Sequence, residues 1–229
     1  VYGQLACKHV LDADGTARPV DSYWGACVNG AQFLPYHLGR IRDAYHHFPE
    51  VSGFLNDGPE FGYEIAPGLM GDNWSVFSCF GPCCEQRANA VGHDLAASRL
   101  ATLALHEALR SLDAERVEEA ITSPAGLPET LAVIADAPVI AEWLAFKSDA
   151  VVAYTQALCD GVRQIDASLQ VGIGSRLPAF TPLTGSDLSR LARHADFVLP
   201  KIYLWMGGYD GLYGTIYRWT RTLAEWNAS

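Results

Sequence analysis

The feature that most constrains this chain is a long helical seam followed almost at once by a short apolar run. From Pro138 to Ile165 the residues Ile140, Leu144, Val151, Tyr154, Leu158, Val162 and Ile165 recur near one helical face. Leu169 to Gly174 then reads as a strand. A helix with an apolar stripe this long must hide it against another layer, and the neighbouring runs have the length and β-branching of buried strands. Two more such runs stand at Val51 to Asn56 and at Ala195 to Trp205. The second is nearly continuous in apolar residues, which fits burial on both faces, although Pro200 lies within it.

Helices alternating with short strands predict an α/β fold with parallel strands, and more specifically a (β/α) TIM-type barrel or a section of one. The 229 residues are read as one domain, since such barrels commonly run to ~250 residues. Val1 to Ala6 reads as a strand that starts without lead-in, as though earlier parts of a fold preceded it. A long loop is expected over Lys8 to Pro35, then a helix from Tyr36 to Phe48 ended by Pro49. One helix is expected from Pro82 to Leu112, with Val91, Leu95, Leu105, Leu109 and Leu112 on a stripe that Ser98 and Thr102 fill. Leu131 to Asp136 is a candidate for a further strand. Ser186 to His194 reads as a short helix with Ser186 as its N-cap, and a last helix follows the loop Gly207 to Gly214 and runs through Trp226.

Charge narrows the partners. Lys and Arg number 16 against 26 Asp and Glu, giving a formal charge of −10, so the field repels polyanions. Nucleic acid and anionic membrane are poor partners, and no apolar run approaches the ~20 residues that span a bilayer. Six cysteines are too few for a disulfide scaffold at this length, which favours a reducing compartment and the cytoplasm over export. No phosphate-binding glycine loop, G-x-S-x-G elbow or H-E-x-x-H pair is present, and GIGSR at 172–176 lacks a third glycine. No cofactor is implied. Cys79 with Cys83 or Cys84 supplies half a zinc ligand set, and Cys27 is remote in sequence, so structural thiols at a helix start are the preferred reading.

In parallel α/β folds the reactive groups follow the carboxyl ends of strands. After Val51 to Asn56 come Asn56, Asp57, Glu60 and Glu64 within nine residues, together with Phe61 and Tyr63. Glycoside hydrolysis needs two carboxyl groups, while aromatic rings stack on sugar faces and Asn and Lys bind hydroxyls. The plainer alternative is that these carboxylates cap the following turn. Lys8 and His9 follow the first strand, Arg176 the strand at 169–174, and Lys201, Tyr203 and Trp205 close the last one. Lys201 inside an apolar run would need a carboxylate such as Asp57 or Glu60, unless it reaches water from the strand end. Trp205, Tyr209 and Tyr213 form either a stacking wall or core.

Four segments, FLNDGPEFGYEI at 54–65, FSCFGPCC at 77–84, WLAFKSDAVVAY at 143–154 and DFVLPKIYLW at 196–205, are together similar to bacterial TIM-barrel glycoside-hydrolase-like proteins. In those an acidic strand end, a C-F-C-x-x-C segment and a W-L-x-F-R-x-D helix follow in order. The resemblance implies that Asp57 and Glu60 occupy the acidic strand end, and Lys201 with Tyr203 the later one. Gly81 stands in place of the middle cysteine, Lys147 in place of arginine, and no second carboxylate stands out late in the chain.

The expected function is therefore a glycoside hydrolase or a relative acting on a carbohydrate. Glu60 is the expected general acid, desolvated by Pro59 and Phe61, and Asp57 the nucleophile or base. Lys8, His9, Asn56, Tyr63, Glu64, Arg176, Lys201, Tyr203 and Trp205 are the expected substrate contacts. A carbohydrate-binding barrel without catalysis is one alternative. A metal-dependent hydrolase with Asp57, Glu60 and His9 as ligands is another.

Overall fold

The computed structural model describes residues 10–11, 17–18, 27–58, 60–61, 77, 79–122, 138–175, 178, 181–200, 216–217, 220–221 and 224. Its elements are β1 (Val10–Leu11), β2 (Ala17–Arg18), α1 (Phe33–His47), β3 (Gly53–Asp57), α2 (Pro82–Val91), α3 (Leu95–Arg110), α4 (Ala114–Thr122), α5 (Pro138–Ile165), β4 (Gln170–Ser175), α6 (Thr181–Thr184), α7 (Leu188–Leu191) and β5 (Phe197–Pro200). Residues 216–217, 220–221 and 224 are helical. Val1 to Ala6, Leu131 to Asp136 and Gly207 to Gly214 lie outside the described residues.

The centre of the fold is α5. Its stripe is buried at Ile140, Trp143, Leu144, Lys147, Val151, Tyr154, Leu158 and Val162, as the spacing requires of a helix packed on both α1 and α3 and on the sheet. Leu158 and Val162 join Val171 and Ile173 of β4 and Phe54 of β3 in one core. Each of the four aliphatic side chains, fully buried, contributes about 1.5–3 kcal/mol. Beyond the core, Arg190 of α7 reaches Asp149 at 2.7 Å and Ser148 Oγ at 3.2 Å. Tyr45 of α1 donates to Asp166 at 2.7 Å, and the Tyr154 hydroxyl lies 2.6 Å from His37 Nδ1.

The sheet is parallel with strand order β3-β4-β5. Asp57 pairs with Gly174 and Ser175 with Pro200, so the carboxyl ends of all three strands share one edge. Among the described residues β3 and β5 each have a single strand neighbour. The expected TIM-type barrel is therefore not indicated: the described residues form an open parallel sheet of three strands, where a closed barrel of this kind needs eight. β1 and β2 form a separate antiparallel pair within the expected loop, with Val10 opposite Arg18.

Three further expectations change. The single helix over 82–112 is two, because Gly92 adopts a left-handed φ of 72° and ends α2, and the Asp94 carboxylate accepts from Ala97 N at 2.9 Å to start α3. α1 begins before Pro35, whose missing N–H costs nothing in a first turn. β5 is not buried on both faces, since Phe197 and Leu199 are exposed. Across the sheet Leu55, Gly172 and Phe197 form one row and Asp57, Gly174 and Leu199 the next, so the two glycines hold the middle of the face opposite α5. None of the described helices is long and apolar enough to cross a membrane.

Candidate functional site

Strand alternation separates the acidic residues. Asp57 is exposed on the face that carries Gly174, whereas Asn56, one residue earlier, turns toward Ile173 and is half-buried. The Asn56 side-chain nitrogen is buried with no hydrogen-bond partner among the described residues. Gly58 then takes a φ of 77° that favours glycine, and its N–H reaches the Gly174 carbonyl at 3.1 Å. That turn carries the chain inward. Phe61 N donates to the Thr184 carbonyl at 2.8 Å, and the Phe61 ring is buried.

Glu60 follows the same path. Its Oε2 accepts from the Thr184 hydroxyl and, at 2.6 Å, from the Ser186 hydroxyl. Two hydroxyl donors on one oxygen are an arrangement suited to a carboxylate. The apolar setting expected from Pro59 and Phe61 is thus a polar one at this oxygen. Ser186 is engaged by Glu60, and the N-cap of α7 is Asp187, whose carboxylate accepts from Ser189 N at 3.0 Å and Arg190 N at 3.2 Å.

Beneath Glu60 lies Lys147, fully buried on the seam of α5. Its ammonium donates to the Leu183 carbonyl and sits 4.3 Å from the Trp143 ring centroid and 5.7 Å from that of Phe61. Burial drives its pKa down from 10.5 to about 7, against the opposing pull of negative charge on Cys79, Cys84 and Glu60. The sequence directed attention to Lys201 as the buried cation. The signal for Lys147 was present in the spacing Trp143, Lys147, Val151, which puts a charge on the apolar stripe.

Next to Lys147 three thiols converge. The sulfurs of Cys27, Cys79 and Cys84 all lie within 4.8 Å of one another, and Cys27 is 3.4 Å from Cys84. All three residues are buried. Asn29 Nδ2 donates to the Cys84 sulfur at 3.3 Å, and the Gly81 N–H to the Cys79 sulfur at 3.4 Å. The contact with Cys27 pulls the Cys84 thiol pKa down, but the Cys79 contact and burial prevail and hold it well above 9.0. Sequence pointed to the pair around Gly81 and could not supply Cys27, which only the packing of the segment before α1 brings to the start of α2.

Of the expected site residues, Asn56, Asp57 and Glu60 are described: Asn56 and Asp57 point to opposite faces of β3, and Glu60 engages Thr184 and Ser186. Lys8, His9, Tyr63, Glu64, Arg176, Lys201, Tyr203 and Trp205 lie outside the described residues, as do Tyr209 and Tyr213. Among the described residues the potential metal ligands that converge are the three cysteines, and Asp57 and Glu60 are not in such a group. In comparisons with family models, with curated proteins and with solved structures, the chain matches none.

Proposed function

We propose that the chain is a glycoside-hydrolase-like protein that engages a carbohydrate at the carboxyl edge of its parallel sheet, with Asp57 as the reacting carboxylate. The observation that carries this reading is the setting of Asp57. It is an exposed acid at a strand end, beside a glycine whose Cβ, if present, would stand 3.1 Å from Asp57 Oδ1. The bare backbone of the buried Gly174 lets the Asp57 side chain lie close against the neighbouring strand, while the carboxylate itself stays exposed at the strand end. The similarity of the segments at 54–65 and 196–205 to glycoside-hydrolase-like proteins supports the choice of a sugar.

In this reading Glu60 is a positioning residue. By holding Thr184 and Ser186 it fixes the turn after β3 and hence the direction of Asp57. A glycosidase needs a second carboxyl group ~5–5.5 Å from the first for retention or ~6.5–9.5 Å for inversion. The engagement of Glu60 Oε2 by two hydroxyls favours a second reading, sugar binding without turnover.

The test is turnover of aryl glycosides and oligosaccharides by the purified chain, beside Asp57→Asn and Glu60→Gln. Hydrolysis that falls by 10³-fold or more in Asp57→Asn supports the catalytic reading. An inert wild type that a sugar stabilises thermally, with the effect lost in Asp57→Asn, supports binding alone. An inert chain that no sugar stabilises overturns both.

A further inference from the structure

We propose that Cys27, Cys79 and Cys84 form a site for one thiophilic divalent metal ion of the zinc class, bound as three thiolates. The inference is independent of the carbohydrate reading. Zinc–sulfur bonds of about 2.3 Å in tetrahedral geometry set neighbouring sulfurs about 3.8 Å apart. The observed sulfurs all lie within 4.8 Å of one another, with Cys27 and Cys84 3.4 Å apart, separations that small shifts bring to that spacing.

The surroundings of the sulfurs point the same way. Asn29 Nδ2 and the Gly81 N–H are each directed at a different sulfur, and N–H donors of this kind orient and stabilise thiolate ligands. Cys84 lies in the first turn of α2, where the helix field favours negative charge. A disulfide between Cys27 and Cys84 would use two of the sulfurs and leave Cys79, with its own N–H donor, outside the arrangement. A metal ion uses all three.

Binding exchanges three thiol protons for one dication and leaves a site of net charge −1, with the Lys147 side chain packed beside it. Among the described residues no His, Asp or Glu joins the trio. One position of a tetrahedral ion is therefore left to a ligand from outside the trio.

Cobalt(II) and zinc(II) test this on the full chain, reduced and stripped of metal. Cobalt is expected to bind one equivalent and develop a sulfur-to-cobalt charge-transfer band whose intensity corresponds to three thiolates, and zinc is expected to bleach that band stoichiometrically. Cys27→Ser, Cys79→Ser and Cys84→Ser should each lose at least 10-fold in zinc affinity, measured by competition with a chromophoric chelator. Cys83→Ser and Cys159→Ser should bind as wild type, which separates the trio from mere sequence proximity. The wild-type band needs no variant, so it decides the matter even where a serine variant fails to fold. Absence of binding by the reduced chain, or cobalt bound without a thiolate band, would each overturn the site.

Discussion

The burial of Lys147 makes stability depend on pH in a way that one substitution should abolish. In the folded chain its pKa is about 7, whereas an unfolded lysine titrates near 10.5. Between those values the unfolded state holds the extra proton, so folding is opposed there and stability rises with pH, by up to about 1.4 kcal/mol per pH unit. Below pH 7 both states are protonated and the full cost of charging the buried amine is present. Integrated from pH 7 to pH 8.5, the gain is about 2 kcal/mol for this one group. Unfolded thiols begin to ionise toward pH 9 and oppose the trend, since the folded Cys84 and Cys159 thiols are held above their ordinary value, Cys159 at about 11 by burial. Their contribution cancels when wild type is compared with Lys147→Met, which is one atom shorter and removes the charge. Urea unfolding followed by tryptophan fluorescence, at both pH values and in metal-free reducing buffer of constant ionic strength, gives the double difference. The wild type should gain about 2 kcal/mol more than the variant over this interval. Equal pH dependence of the two proteins would refute the claim that Lys147 is buried with a depressed pKa.

Two predictions concern the backbone that carries the site. Asp94→Ala removes the carboxylate that accepts from Ala97 N, and should lower stability by about 1 kcal/mol in the same urea assay; an unchanged midpoint would mean that α3 does not depend on this cap. Gly172→Ala would place a Cβ 2.2 Å from the Phe197 ring, which must swing away from the sheet, at a cost of about 1–3 kcal/mol. In a Phe197→Ala background that cost should largely vanish, and a penalty that persists there would show that the ring is not what occupies the space over Gly172.

What could be read in the sequence was whatever local periodicity determines. The seam of α5 runs over 28 residues, and both its bounds and its buried face follow from spacing alone. β3 and β4 were likewise legible within a residue or two. The division between α2 and α3 was written in Gly92 and Asp94, but a stripe that continues across the break concealed it, because amphipathic spacing does not register a change of helix axis. At the start of α7, Ser186 and Asp187 are both good caps, and the choice between them was made by Glu60, far away in sequence, which draws Ser186 off. The exposed face of β5 departs from the expectation for a related reason: apolar content signals that a strand can be buried, and only its neighbours decide on how many sides.

The site was legible to a smaller degree. Asp57 and Glu60 were identifiable as acids after a strand, but their different settings depend on the turn at Gly58 and on the hydroxyls of Thr184 and Ser186. The thiol trio depends on Cys27 meeting Cys84 across 57 positions, which no motif spacing encodes.

The long polar ties share a common span. His37 to Tyr154, Tyr45 to Asp166, Glu60 to Thr184 and Glu60 to Ser186 bridge 117, 121, 124 and 126 positions respectively. Each one begins before residue 61 and ends after residue 153. The polypeptide is thus not divisible at its middle. A cut between Phe61 and Pro138 would leave two pieces that hold complementary halves of the same bonds, and the buried hydroxyls of Tyr154, Thr184 and Ser186 would each lose a partner held by the other piece.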